Sequence, residues 1–257
     1  GDRAFKDCTS LTDVVFPNSL TEIGWSAFSG CTGLTDITLP KNLQIMEFRA
    51  FENCTNLQKV FIPASLKDDG SNGGWDDYYD DDGYGYGPFY GCSSLNDVTF
   101  EEGITNISSY LFAGCTGLRS VAIPDTVTTI GDGAFGDCPK LTEVKLSKGL
   151  TGIGDSAFRQ CELLSDISLP ENLTTIGDRA FKDCTSLTDV VFPNSLTEIG
   201  WHVFQGCASL QSAKWNNTLT AIPSYTFYNC KALERFTVPE QVTVINNYAF
   251  YGCTSLG

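Results

Sequence analysis

The densest chemistry in this chain lies between Lys67 and Gly87, where seven Asp, four Tyr, one Trp and six Gly fall close together. Asp76, Asp77, Asp80, Asp81 and Asp82 carry the oxygen donors that Ca²⁺ takes. The calcium-loop spacing D-x-D-x-D-G is met only in part. Asp80, Asp82 and Gly83 fit, but Tyr78 stands at the first ligand position and Phe89 where a closing Glu belongs. Trp75, Tyr78, Tyr79, Tyr84 and Tyr86 offer a second chemistry, aromatic anchors set among flexible Gly in the manner of a paratope. A solvated spacer is the third reading of a loop this long without apolar periodicity. The alternating Gly-Tyr run from Gly83 to Gly87 is no nucleotide fingerprint, because no helix follows to cradle a phosphate.

The remaining reactive side chains say less. His202 is the only histidine, and no Cys-x-x-Cys occurs, so a zinc site has no ligand set. A Ser-His-Asp arrangement needs a positioned imidazole, and one His at a variable position does not supply it. Carboxylates are abundant, yet nothing pairs two of them in a cleft. No enzyme and no cofactor are expected, apart from the Ca²⁺ alternative at the insert.

The cysteines matter most for their positions: 8, 31, 54, 92, 115, 138, 161, 184, 207, 230 and 253. Each gap is 23 residues except one of 38, which holds 15 extra residues. Around every Cys the pattern repeats, with Phe three before and Leu three after. A small or β-branched residue follows at six after in nine of ten units, Pro at nine after in seven of ten, and Leu, Ile or Val at twelve after. A period between 20 and 29 with Leu-x-x-Leu-x-Leu spacing is a leucine-rich-repeat pattern. In Leu187-x-x-Val190-x-Phe192 the alternation predicts a short strand ended by Pro193. Leu196-x-x-Ile199-Gly200 predicts a second, shorter strand. The spacing of Ala180, Phe181 and Cys184 predicts a single helical turn. One such unit cannot bury enough surface to fold alone, so units must stack. The thiols are expected to be free and buried in a small apolar slot, because parallel Cβ vectors in one column disfavour bridging.

The expected fold is therefore an α/β solenoid of 23-residue coils, with a parallel β-sheet on one face and short strands and helical turns on the other. It forms one domain over residues 1–257, with the insertion inside 67–87. The chain starts and stops within a unit, so a longer array is expected. Residues 1–25 repeat verbatim at 177–201, from a recent duplication or an engineered copy.

A net charge of −15 disfavours nucleic acid and anionic membranes. No apolar run is long enough to span a bilayer. The unit Cys-x-x-Leu-x-x-Val-x-Phe-Pro-x-x-Leu-x-x-Ile-Gly-x-x-Ala-Phe resembles the BspA-like, or treponemal-type, leucine-rich repeats over essentially the whole chain outside the insert. The departures are Glu101, Ser147 and Asn216, where Pro is missing, together with Ala213 and Trp215. The resemblance implies a bacterial cell-surface or secreted protein, an adhesion module with protein ligands on host or bacterial surfaces, and no catalytic residues. A structural stalk that projects other domains is the alternative, and a Ca²⁺-dependent module a second.

Strand residues five after each Cys should face outward. Asp13, Asp36, Asp97, Asp166 and Asp189 fall in that column and form, with the insert, the candidate binding residues, since curved repeat sheets bind partners on that face.

Overall fold

The computed structural model describes residues 1–67 and 86–257. Its units stack into a parallel β-solenoid. The first strand of each unit falls into separate ladders. One joins β2 (Asp36–Thr38), β4 (Lys59–Ile62) and β5 (Asp97–Phe100); a second joins β7 (Ser120–Ala122) and β9 (Glu143–Lys145); a third joins β12 (Asp189–Val191) and β14 (Ser212–Lys214). The second, shorter strand is the more continuous one. β6 (Asn106–Ile107), β8 (Thr129–Ile130), β10 (Gly152–Ile153), β11 (Thr175–Ile176) and β13 (Glu198–Ile199) pair in register one unit apart. A threonine column beside them adds a second ladder, in which the Thr151 hydroxyl donates to Thr128 O (3.0 Å) and that of Thr174 to Thr151 O (2.9 Å).

The α/β expectation needs correction, because the described residues contain no helix. Where a helical turn was predicted, the N–H groups alternate between two directions. Ala27, Ser29 and Cys31 donate to the carbonyls three residues back, at 3.1–3.2 Å. Ser26, Phe28 and Gly30 instead donate across to Phe48, Ala50 and Glu52 of the next unit, at 2.7–3.0 Å. A helix would spend all of these donors inside its own unit. Two left-handed residues per turn cause the alternation, at five and one before every Cys except Cys92, where only Gly91 is left-handed. They are Ser26 and Gly30 in one unit, Arg179 and Asp183 in another, Tyr225 and Asn229 in a third. Side chains at positive φ cost about 1–2 kcal/mol each, and the cross-unit hydrogen bonds offset that cost. These bonds recur from turn to turn, so the stack holds where the first-strand ladder is interrupted.

The core runs as columns along the axis. Ring centroids of consecutive phenylalanines from Phe5 to Phe250 lie 4.9–6.0 Å apart and nearly parallel. The cysteines are free, and all but Cys8 and Cys253 are buried. Each thiol from Cys31 onward donates to the carbonyl of the phenylalanine in the preceding unit, for example Cys184 Sγ to Phe158 O at 3.1 Å. The slot is therefore polar at one point. A small residue with a weak donor suits it better than Ala, which has no donor. Burial pushes the Cys54 and Cys138 thiols up to about 12.

The missing prolines have a local explanation. In most units the carbonyl at the Pro position accepts the N–H three residues on, as Pro193 O does from Leu196 at 3.1 Å. At Asn216 the side chain does that work: Oδ1 accepts from Leu219 N–H (3.0 Å), while Nδ2 donates to Pro193 O and Leu196 O, both at 2.8 Å. Ser147 accepts from Gly149 N–H at 3.0 Å, and Glu101 from Ala64 N–H at 2.9 Å. At Glu101 and Ser147 the backbone carbonyl still closes the turn, to Ile104 and Leu150 N–H at 3.3 Å, and the Glu101 side chain adds a bond to the preceding unit.

Candidate functional site

The first-strand ladder is open between residues 166–168 and β12. Phe192 N–H donates to Lys214 O at 3.0 Å and Ile123 N–H to Lys145 O at 2.8 Å; the same rung is not made from Leu169 to Val191. At this opening lies a groove of about 460 Å³. Asp166 and Glu171 come from one unit, Asp189 and Val191 from the next, and Lys214 and Trp215 from the third.

The groove brings together two of the predicted column residues. Asp166 is exposed and makes no hydrogen bond or ion pair within the described residues. Asp189 Oδ1 accepts the Ser212 hydroxyl, which holds the carboxylate to the strand face. Beneath them Trp215 is only 5% exposed and packs against Phe192 with centroids 4.7 Å apart. Its indole N–H is buried without a partner. A buried donor left unmet costs about 1–3 kcal/mol.

The other predicted residues lie elsewhere. Asp36 and Asp97 flank Lys59 in register on the first ladder, and Lys59 Nζ stands 3.8 Å from Asp97 in an exposed pair. That lysine divides the expected acidic stripe. Asp13 is exposed but outside any strand. Tyr86 is tied to the scaffold: the Arg49 guanidinium lies over its ring at 4.2 Å, and Tyr90 meets it edge-on at 4.6 Å. Trp75, Asp76, Asp77, Tyr78, Tyr79, Asp80, Asp81, Asp82 and Tyr84 lie outside the described residues. Among the described residues no group of three or more His, Cys, Asp or Glu is placed to hold a metal ion, and no helix is long and apolar enough to cross a membrane.

Column reasoning missed Trp215 and Lys214 as site residues. The signal was present, since Trp215 breaks the column eight after Cys, where its neighbours are Leu169 and Phe192.

A second acidic row runs along the turn side. Asp178 N–H donates to Asp155 Oδ1 (2.7 Å), and Asp155 N–H to Asp132 Oδ1 (2.8 Å). Desolvation raises the Asp155 carboxyl above its ordinary value. The Asp178 N–H opposes this, and the charges of Asp132 and Asp178 add to it.

Stacked coils, a phenylalanine column and an open strand-face groove define a leucine-rich-repeat solenoid. The chain belongs to the BspA-type leucine-rich-repeat family, whose model matches residues 1–72, 85–208 and 157–257. A leucine-rich repeat protein from Bacteroides ovatus superposes with a TM-score of 0.80 at 28% identity, over 100% of this chain and 62% of its own length. This chain therefore spans less than two thirds of that relative. The T. pallidum leucine-rich repeat protein is 35% identical with a TM-score of 0.59, over 60% of this chain and 72% of its own. A leucine-rich repeat protein from Eubacterium ventriosum shares the fold with a TM-score of 0.54 at 23% identity, over 97% of this chain and 78% of its own. A search of curated proteins gives no match.

Proposed function

We propose that this chain is a non-enzymatic recognition module of a bacterial surface or secreted protein, and that it takes a protein partner on its strand face. One observation carries the reading: on a scaffold whose periodic side chains are spent on stacking, the strand-face groove exposes the Asp166 carboxylate without a partner among the described residues, beside the exposed Asp189. Side chains of Phe, Cys and Leu are consumed by the core. Specificity is left to residues that vary between units and face outward. Family membership supports a scaffold for protein interaction, and repeat surfaces of this curvature commonly serve as extended binding faces.

The aromatic and acidic residues of the 67–87 insert are the secondary element of the proposal, with Tyr86 as the anchor on the scaffold side. The test is a binding panel of immobilised host matrix proteins and intact bacterial cells. Wild type, Asp166→Ala/Asp189→Ala and a variant lacking 68–85 are compared. Loss of a binder in the double variant supports the strand face. Loss only in the deletion variant moves the site to the insert, and Ca²⁺-dependent loss assigns the insert a metal-dependent role.

A further inference from the structure

We infer that the exposed indole face of Trp201, on the turn side, takes the guanidinium of an arginine from a protein partner, with the Asp178 and Glu198 carboxylates as its acceptors. This contact stands apart from the strand-face reading above, and either can fail without the other.

The chain carries its own precedent. Residues 1–25 and 177–201 are identical, so Asp2, Arg3, Glu22 and Trp25 recur as Asp178, Arg179, Glu198 and Trp201. In both copies the aspartate ties the tryptophan to the turn of the preceding unit. Trp25 N–H donates to Asp2 Oδ1 at 3.2 Å, and Trp201 N–H to Asp178 Oδ1 at 2.8 Å. In the first copy the Arg3 guanidinium lies over the Trp25 ring, 4.1 Å from its centroid. In the second, no guanidinium or ring lies over Trp201 among the described residues, and the side chain is 61% exposed. Arg179 has a competitor for its charge that Arg3 lacks, the Asp155 carboxylate of the preceding unit, whose ionised form it favours. The same tryptophan, in the same 25-residue sequence, is thus covered by a guanidinium in one place and open in the other.

The surroundings select the same chemistry. Asp155, Asp178 and Glu198 line a groove of about 320 Å³ that runs up to Gly200, the residue before Trp201. Asp178 holds the Trp201 N–H with Oδ1, which leaves Oδ2 for a second donor. Glu198 is exposed, and its carboxylate makes no hydrogen bond or ion pair among the described residues. Arginine meets both features at once: its plane stacks on an indole, and its edge carries five N–H donors for carboxylates. An ammonium lacks the plane. A neutral sugar also stacks on an indole, and the test separates it from the cation.

The experiment uses ¹⁵N-labelled protein at fixed ionic strength and follows the indole N–H resonances by NMR, with Trp201→Phe assigning the one of interest. The probe is the capped tripeptide Gly-Arg-Gly; the controls are its citrulline counterpart, which keeps the shape without the charge, and a neutral oligosaccharide. Cation–π contacts at exposed sites are weak, so the probe is taken to tens of millimolar. The expected result is a titratable shift of the Trp201 indole with the Arg peptide, several times that given by citrulline. Asp178→Asn and Glu198→Gln each weaken binding about two- to fivefold. Asn at 178 keeps an oxygen for the Trp201 N–H, so the turn stays closed. Glu143→Gln, on the first-strand face, leaves binding unchanged. A silent Trp201 indole overturns the inference. So does an equal shift with citrulline or the oligosaccharide, or an equal loss in Glu143→Gln. A response that appears only in Arg179→Ala overturns it too, because the indole is then covered by the chain's own arginine.

Discussion

The verbatim copy of residues 1–25 at 177–201 provides an internal control for the phenylalanine column. Phe5 and Phe181 sit in identical 25-residue sequences, so local propensity is the same for both. Their packing differs. Phe181 is fully buried between Phe158 at 5.5 Å and Phe204 at 5.3 Å. Phe5 is 46% exposed and stacks only on Phe28, at 4.9 Å. Phe181→Ala forfeits the full side chain and leaves a cavity, a loss of about 3–5 kcal/mol. That range already contains its two parallel ring contacts, worth about 0.5–1.5 kcal/mol each. Phe5→Ala loses about half the buried area and one ring contact, about 1–2 kcal/mol by the same reckoning. Urea denaturation of both variants of the 257-residue chain, followed by far-ultraviolet circular dichroism, measures the difference. Equal losses would refute the reasoning, because stability would then come from each unit's own sequence and not from its neighbours. A loss below about 1 kcal/mol at Phe181 would refute the inward placement of the column.

Three further outcomes are expected. In native protein, a thiol reagent at pH 8 modifies Cys8 rapidly and Cys253 more slowly, while Cys54 and Cys138, raised to about 12 by burial, stay unreacted until unfolding. Fast modification of more than two thiols would contradict the buried column. Asn216→Ala removes the side chain that closes its turn and leaves buried carbonyls and N–H groups unmet, costing about 2–4 kcal/mol in a thermal or chemical melt. Asp155 has a raised carboxyl pKa in the folded state. Its contribution is therefore present at low pH and lost as pH rises from the ordinary Asp value through the raised one. The melting temperature of Asp155→Asn relative to wild type should rise between pH 4 and pH 7, and a flat difference would count against the desolvation.

Much of this fold was legible because its causes are periodic. Phe, Cys and Leu recur at fixed offsets, and only an inward column explains large apolar residues held at one position through every unit. The turn was misread as helical because the spacing of Ala180, Phe181 and Cys184 fits any tight apolar turn. What distinguishes it is positive φ at Arg179, Tyr225 and Tyr248, residue types that ordinarily avoid that region. Their identity conceals the backbone state, which follows from cross-unit hydrogen bonds that no single unit contains. The candidate site was half legible. Asp166 and Asp189 could be placed on the outward column from spacing alone. That they, rather than Asp36 or Asp97, share a groove depends on where the ladder opens, a property of three stacked units. Trp215 stood out as a break in its column, yet burial of its indole N–H appears only in the packed structure.

The central claim, recognition through the strand face, is tested most directly by hydrogen–deuterium exchange on a complex with whichever panel protein binds. The account predicts that the partner protects backbone amides on the strand face around residues 166–169, 189–192 and 212–217, and leaves the second strands at 152–153 and 175–176 unchanged. Protection confined to those second strands or to the turns before each Cys would contradict it.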